Sequence, residues 1–170
     1  RTRDLTPSAS TADRQGRLDP AASLQDSPSQ RFLDFITGEL RQSVEAQLPD
    51  GMRILRRTLI GHSFGGLFTV NAVLTLPHAF DDFIAADPSF WWDQRRLIQK
   101  AAADGLGDKA AAGPGRRLYL GFATKPRQDR TGSAERPAAG ARLSADPLVS
   151  DFIGFLLAQG MQVRRQDFPD

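Results

Sequence analysis

The residues best suited to chemistry form the run Gly61-His62-Ser63-Phe64-Gly65. A serine with glycine two residues before and two after has the spacing of a nucleophile set in a sharp strand-to-helix turn. The reason is steric. Side chains at the two flanking positions would collide in such a turn, so Gly61 and Gly65 fit there. Gly66 adds room for close packing of the helix that follows. The turn lifts the Ser63 hydroxyl clear of a sheet. It also aims the Phe64 amide and the helix N-terminus at a developing oxyanion. The expected chemistry is attack on an acyl carbon. In a chain with 15 glycines the pentapeptide alone is a weak signal, and its place between a strand and a helix gives it weight.

A serine hydroxyl needs a base to attack at neutral pH. The chain has two histidines. His62 adjoins Ser63, and neighbouring side chains diverge in the turn, so it is expected to line the pocket rather than take the proton. His78 follows the helix, at the wrong end of the sheet, and reads as surface. Asp87 closes the next strand on the same side as Ser63. It either orients an incoming histidine or caps the Pro88-Ser89 turn. Asp129, in the polar loop after the third strand, is the second candidate acid. Trp91 and Trp92 either pack at the core or rim, or line an acyl pocket. No histidines or carboxylates show metal-ligand spacing, so neither metal nor cofactor is expected. The absence of cysteine rules out a thiol nucleophile and a disulfide framework.

The elements that position these residues are legible as alternating patterns. Phe32, Ile36, Leu40, Val44 and Leu48 recur every four residues and predict a helix capped by Ser29 and closed at Pro49-Asp50-Gly51. Arg57 to Ile60 predicts a buried strand, Phe64 to Leu76 a helix, and Phe83 to Ala86 a second strand. Asp93 to Ala103 predicts a helix, Leu118 to Phe122 a third strand, Pro147 to Gln159 a helix, and Met161 to Phe168 a last strand. Residues 1–30, 104–115 and 123–140 read as loop. Strand–helix alternation implies a mostly parallel sheet with helices on both faces, the α/β class.

Further residues carry a resemblance to a known family. Gly61-His62-Ser63-Phe64-Gly65-Gly66-Leu67-Phe68, Leu76-Pro77, Phe80 and Asp87-Pro88-Ser89-Phe90-Trp91-Trp92-Asp93 resemble the putative-esterase group of α/β-hydrolases. That group includes esterase D-like enzymes and enterobactin-type siderophore esterases. The opening Arg1-Thr2-Arg3-Asp4-Leu5-Thr6-Pro7 is also similar. The resemblance implies hydrolysis of a small carboxylic ester through an acyl-enzyme at Ser63. It also implies a catalytic histidine beyond Asp170 and first strands ahead of Arg1. Residues 1–30 are then a polar loop and 31–170 the C-terminal part of a single α/β-hydrolase domain. The group's Gly-rich stretch before the Phe32 helix is replaced here by Asp26-Ser27-Pro28-Ser29-Gln30. Two rival readings are an acyltransferase of the same fold and a non-catalytic binding module or inactive fragment.

Composition narrows the partners. With 40% hydrophobic and 25% charged residues, the 170-residue chain suits one domain with a real core. The 22 basic residues are scattered and nearly balanced by 20 acidic ones, so no nucleic-acid partner is expected. No apolar run approaches a membrane span. The sequence leaves the compartment and oligomeric state open.

Overall fold

The computed structural model describes residues 2–7, 28–104, 115–125, 127–128, 135–136 and 139–169. A four-stranded parallel sheet has the order β1 (Thr58–His62), β2 (Asp82–Ala86), β3 (Arg117–Ala123), β6 (Gln162–Phe168). The helices α4 (Phe64–Thr75), α5 (Arg96–Asp104) and α7 (Pro147–Ala158) connect and cover it. Two short strands, β4 (Arg127–Gln128) and β5 (Glu135–Arg136), pair antiparallel within the segment read as loop. A short helix α6 (Ala139–Ser144) follows them.

Side chains alternate across the strands, and the two sheet faces differ sharply. Phe83, Ala85, Leu118, Leu120 and Phe122 are buried, together with Leu67, Val70 and Val73 of α4, Ile98 of α5, and Phe152 and Leu156 of α7. This is the hydrophobic core. The opposite face carries Ile60, which is 69% exposed. A hollow of about 550 Å³ on this face is lined by Thr58, Ile84, Tyr119 and Arg164, among others. Helices were expected on both faces, whereas those described cover one. The first cross-strand row of the other face, Thr58–Asp82–Arg117–Gln162, is polar.

That row contains a charge cluster that ties three segments together. Asp82 accepts two hydrogen bonds from Arg56, at 2.8 and 2.9 Å, and two from Arg117, at 2.6 and 3.1 Å. The hydrogen bonds from Arg117, then those from Arg56, hold the Asp82 carboxyl well below the ordinary carboxylate range. A carboxyl depressed by folding contributes stability that is full above its unfolded pKa, near 4, and is lost as the pH falls. Asp82→Asn is therefore expected to lower Tm by about 3 °C at pH 7. The gap should begin to narrow as the pH drops below about 4 and keep narrowing as the pH falls further toward the depressed range of the folded carboxyl. A gap unchanged between pH 7 and about pH 2 would remove the charge-based account.

The N-terminal helix departs from expectation. Residues Pro28–Phe35 form α2, Ile36–Leu40 a π turn and Arg41–Glu45 α3. The helix starts at Pro28, whose ring suits a first turn. Ser29 lies inside it and is buried. Leu33 enters the core, whereas Phe35, Leu40, Val44 and Leu48 are exposed. A strict spacing of four residues overshoots a full α-helical turn by about 40°, so the apolar stripe spirals off the packed face. The Thr37 hydroxyl bonds back to the Leu33 carbonyl at 2.9 Å where the π turn begins. Ahead of this region, Thr2–Leu5 forms a helical turn, α1, followed by a buried Thr6, where loop was expected. No described helix is long and apolar enough to cross a membrane.

Candidate active site

Strand β1 runs directly into Ser63, which opens α4 with φ 57° and ψ −116°. A non-glycine residue rarely adopts this conformation, and it persists only where the surroundings impose it. Three backbone hydrogen bonds do so here. The Ser63 N–H donates to the Ala86 carbonyl at 2.9 Å, and the Ser63 carbonyl accepts from the amides of Leu67 at 3.0 Å and Ser89 at 3.1 Å. The end of β2 and the turn after it thus clamp the serine backbone from one side. The first turn of α4 clamps it from the other.

The glycines have separate reasons. A Cβ at Gly61 would lie 2.1 Å from the Gly65 carbonyl oxygen, so no side chain fits there. A Cβ at Gly66 would meet the Ala86 oxygen and Pro88 Cα at 3.0 Å, which lets α4 press against the end of β2. Gly65 differs from expectation. Its Cβ position has no neighbour within 4 Å. What collides at Gly61 is the carbonyl of Gly65, not a side chain at that position.

The Ser63 side chain makes no capping bond to α4. Its oxygen instead lies 3.2 Å from the Ser89 hydroxyl oxygen. Phe64 is the first residue of α4, so its amide is one of the helix-start donors without an intrahelical acceptor. That amide, backed by the positive end of the helix, can stabilise negative charge forming beside Ser63.

Next to this point stand three aromatic rings. Phe64 meets Trp91 and Trp92 edge-on, with centroids 5.6 and 5.2 Å apart, and the two indoles lie 6.1 Å from each other. Trp91 is 52% exposed, while the Trp92 ring nitrogen is buried without a partner among the described residues. The pair is placed by an unusual turn. Trp92–Arg95 is a 3₁₀ segment, and Asp93, Gln94 and Arg95 all have positive φ. Such left-handed residues cost about 1–2 kcal/mol each. Arg95 is anchored by a 2.9 Å ion pair to the buried Asp146. Asp146 in turn caps α7 by accepting from the Leu148 amide at 3.1 Å. The helix expected from Asp93 therefore begins only at Arg96.

Asp87 has a structural partner in view. It has φ 43°. Its amide donates to the Gly121 carbonyl at 2.8 Å, and its carboxylate accepts the Ala123 amide at 2.7 Å. It ties the ends of β2 and β3 across the sheet. The expected cap on the Pro88-Ser89 turn is replaced by this clamp. Asp87→Asn keeps a carbonyl acceptor for Ala123 and removes the charge. The clamp predicts a Tm within about 2 °C and ester hydrolysis within about threefold of the parent. A fall of about 10³-fold or more with an unchanged Tm would make Asp87 the triad acid instead.

The other expected residues are dispersed. His62 ends β1 on the open face, exposed, with no hydrogen bond to Ser63 among the described residues. His78 is exposed in the turn before β2, at the opposite end of the sheet. Asp129 lies outside the described residues. No group of three potential metal ligands occurs among the described residues. Sequence reasoning missed Ser89. The available signal was its place just after the Asp87-Pro88 break, beside the strand that carries Ser63.

Comparison with known proteins places this geometry in a family. The profile described as Putative esterase matches residues 7–138. The siderophore triacetylfusarinine C esterase of Aspergillus fumigatus is 42% identical over 72 residues, covering 42% of this chain and 24% of that protein. The ferri-bacillibactin esterase BesA of Bacillus subtilis is 31% identical over 100 residues, covering 59% of this chain and 34% of that protein. Among solved structures, an IroE-like serine hydrolase from Shewanella oneidensis superposes with a TM-score of 0.63 at 26% identity, over 100% of this chain and 50% of that one. The chain thus spans about half of that structure. The fold is that of the α/β-hydrolases.

Proposed function

The chain belongs to the Putative esterase family, and on that premise we propose that Ser63 is the nucleophile of a serine hydrolase acting on carboxylic esters. The observation that carries the reading is the serine itself. It sits in a strained conformation at a strand–helix junction, with its hydroxyl uncommitted to the helix and an open amide beside it. The backbone around it is pinned by three hydrogen bonds. Such fixed geometry lowers the cost of reaching the reactive arrangement.

The reaction follows from these parts. The Ser63 oxygen bonds to the ester carbonyl carbon as its proton passes to a base. The carbonyl oxygen becomes an oxyanion facing the Phe64 amide and the α4 N-terminus. Collapse expels the alcohol, which takes the proton back from the base, and leaves an acyl-enzyme. Water, deprotonated by the same base, then attacks the acyl carbon, and collapse releases the acid as the Ser63 oxygen takes the proton back from the base. Neither His62 nor His78 is hydrogen-bonded to Ser63 in the described structure, so the base is proposed to be a histidine outside these 170 residues. Trp91 and Trp92 form the proposed wall against the acyl or aryl part of the substrate, and His62 a more distant contact. The named relatives point to siderophore esters as the substrate class.

The test is fluorophosphonate labelling of the full-length protein, followed by hydrolysis of p-nitrophenyl butyrate and of a cyclic siderophore trilactone. Label on Ser63 with faster turnover of the trilactone supports the whole reading. Label without trilactone turnover keeps the nucleophile and discards the substrate class. A folded protein that takes no label refutes the nucleophile and leaves a non-catalytic module.

A further inference from the structure

The hydroxyl of Ser89 is 3.2 Å from that of Ser63. Ser89 is buried, at 2% exposure, whereas Ser63 is only half-buried. The two residues are joined twice, since the Ser89 amide also donates to the Ser63 carbonyl at 3.1 Å. The Ser89 carbonyl accepts the Trp92 amide at 2.9 Å, so the same residue also holds the aromatic turn. Resting on the reading of Ser63 as nucleophile, we propose that Ser89 is a positioning residue that donates its hydroxyl proton to the Ser63 oxygen and so leaves the Ser63 proton free for the base.

Burial decides the direction of this hydrogen bond. Each hydroxyl has one proton to donate and can also accept. If Ser63 donated, the Ser89 proton would be buried with no acceptor among the described residues, and its own desolvation would go uncompensated. If Ser89 donates, its proton is satisfied. The Ser63 proton then points toward the more open side, where a base or a substrate can approach. The donor also fixes the Ser63 rotamer, so one lone pair is engaged and the other is aimed at the incoming carbon. As its proton passes to the base the Ser63 oxygen takes on negative charge, and a hydroxyl donor strengthens as that charge grows. Ser89 itself forms no bond to substrate and gives up no proton. It acts through Ser63.

The experiment compares the full-length parent with Ser89→Ala and Ser89→Thr, by fluorophosphonate labelling rate and by steady-state hydrolysis of p-nitrophenyl butyrate. In Ser89→Ala, kcat and the labelling rate should both fall about tenfold while KM stays within about twofold, since only the attack step is affected. Ser89→Thr retains the hydroxyl and should recover kcat to within about threefold. A parent that labels at Ser63 together with an unimpaired Ser89→Ala would overturn the positioning role and leave the nucleophile standing. Equal losses in both variants, accompanied by a lowered Tm, would also overturn it, because packing alone would then explain the effect. A parent that does not label at Ser63 sinks the nucleophile reading itself.

Discussion

Ser63→Ala is expected to reduce ester hydrolysis by about 10⁴-fold or more while leaving Tm within about 3 °C of the parent. The loss is large because the oxygen that forms the covalent bond is gone. The remaining groups offer only oxyanion stabilisation and binding. The stability change is small because the three hydrogen bonds that pin residue 63 come from its backbone. Only the contact with the Ser89 hydroxyl disappears. Ser63→Gly gives an internal control for strain. At φ 57° and ψ −116° glycine is at ease and alanine is not. The glycine variant should therefore melt higher than the alanine variant by roughly 1 kcal/mol equivalent, with both equally inactive. Retention of more than about a tenth of the activity in either would show that another residue carries the attack.

Gly61→Ala should cost about 3–5 kcal/mol, or roughly 10 °C in Tm, and abolish labelling of Ser63. The new methyl would sit 2.1 Å from the Gly65 oxygen and 2.2 Å from its carbonyl carbon. Those atoms are backbone, so no rotamer change relieves the overlap. The Thr69 hydroxyl, 2.8 Å from the same methyl, is itself bonded to that Gly65 oxygen. Relief requires moving α4 away from β1, which carries the Phe64 amide away from the reacting oxygen. Gly65→Ala is the contrast. Its Cβ position is open, and alanine favours a helix over glycine by up to about 1 kcal/mol, so its Tm should hold or rise. If the two variants melted together, the steric account of the motif would be wrong.

The position of the proposed nucleophile was legible because glycine has an exclusive property at Gly61. An apolar strand, a Gly-x-Ser-x-Gly run and a helical segment must meet in a tight turn, and the structure has them meet at Ser63. Strands β1, β2 and β3 were legible for a similar reason, as each is centred on a short apolar run, whereas β6, Gln162–Phe168, is mostly polar. Ser89 was not legible as a contact of Ser63. Its position depends on β1 and β2 pairing in parallel with His62 opposite Ala86, a long-range register that no local pattern encodes. The left-handed turn at Asp93-Gln94-Arg95 was hidden for the opposite reason. It contains no glycine, and its residues read locally as the start of a helix. A contact that goes with it is distant, the ion pair from Arg95 to Asp146. The regular spacing in the Phe32 to Leu48 helix misled because repetition every four residues is not a straight stripe on an α-helix. Asp129 depends on a segment outside the described residues.

The aromatic cluster has an optical consequence. This 170-residue chain has two tryptophans, and both rest against Phe64, the residue that follows Ser63. Indole emission from this chain, excited beyond the absorption of its single tyrosine, therefore arises beside the proposed site. With Trp91 half in water and Trp92 largely enclosed, the two report different environments of one place. The arrival of a ligand, the formation of an acyl-enzyme and the loosening of the strained turn would each change that emission. The molecule carries its own fluorophore at the point where its chemistry is proposed to occur.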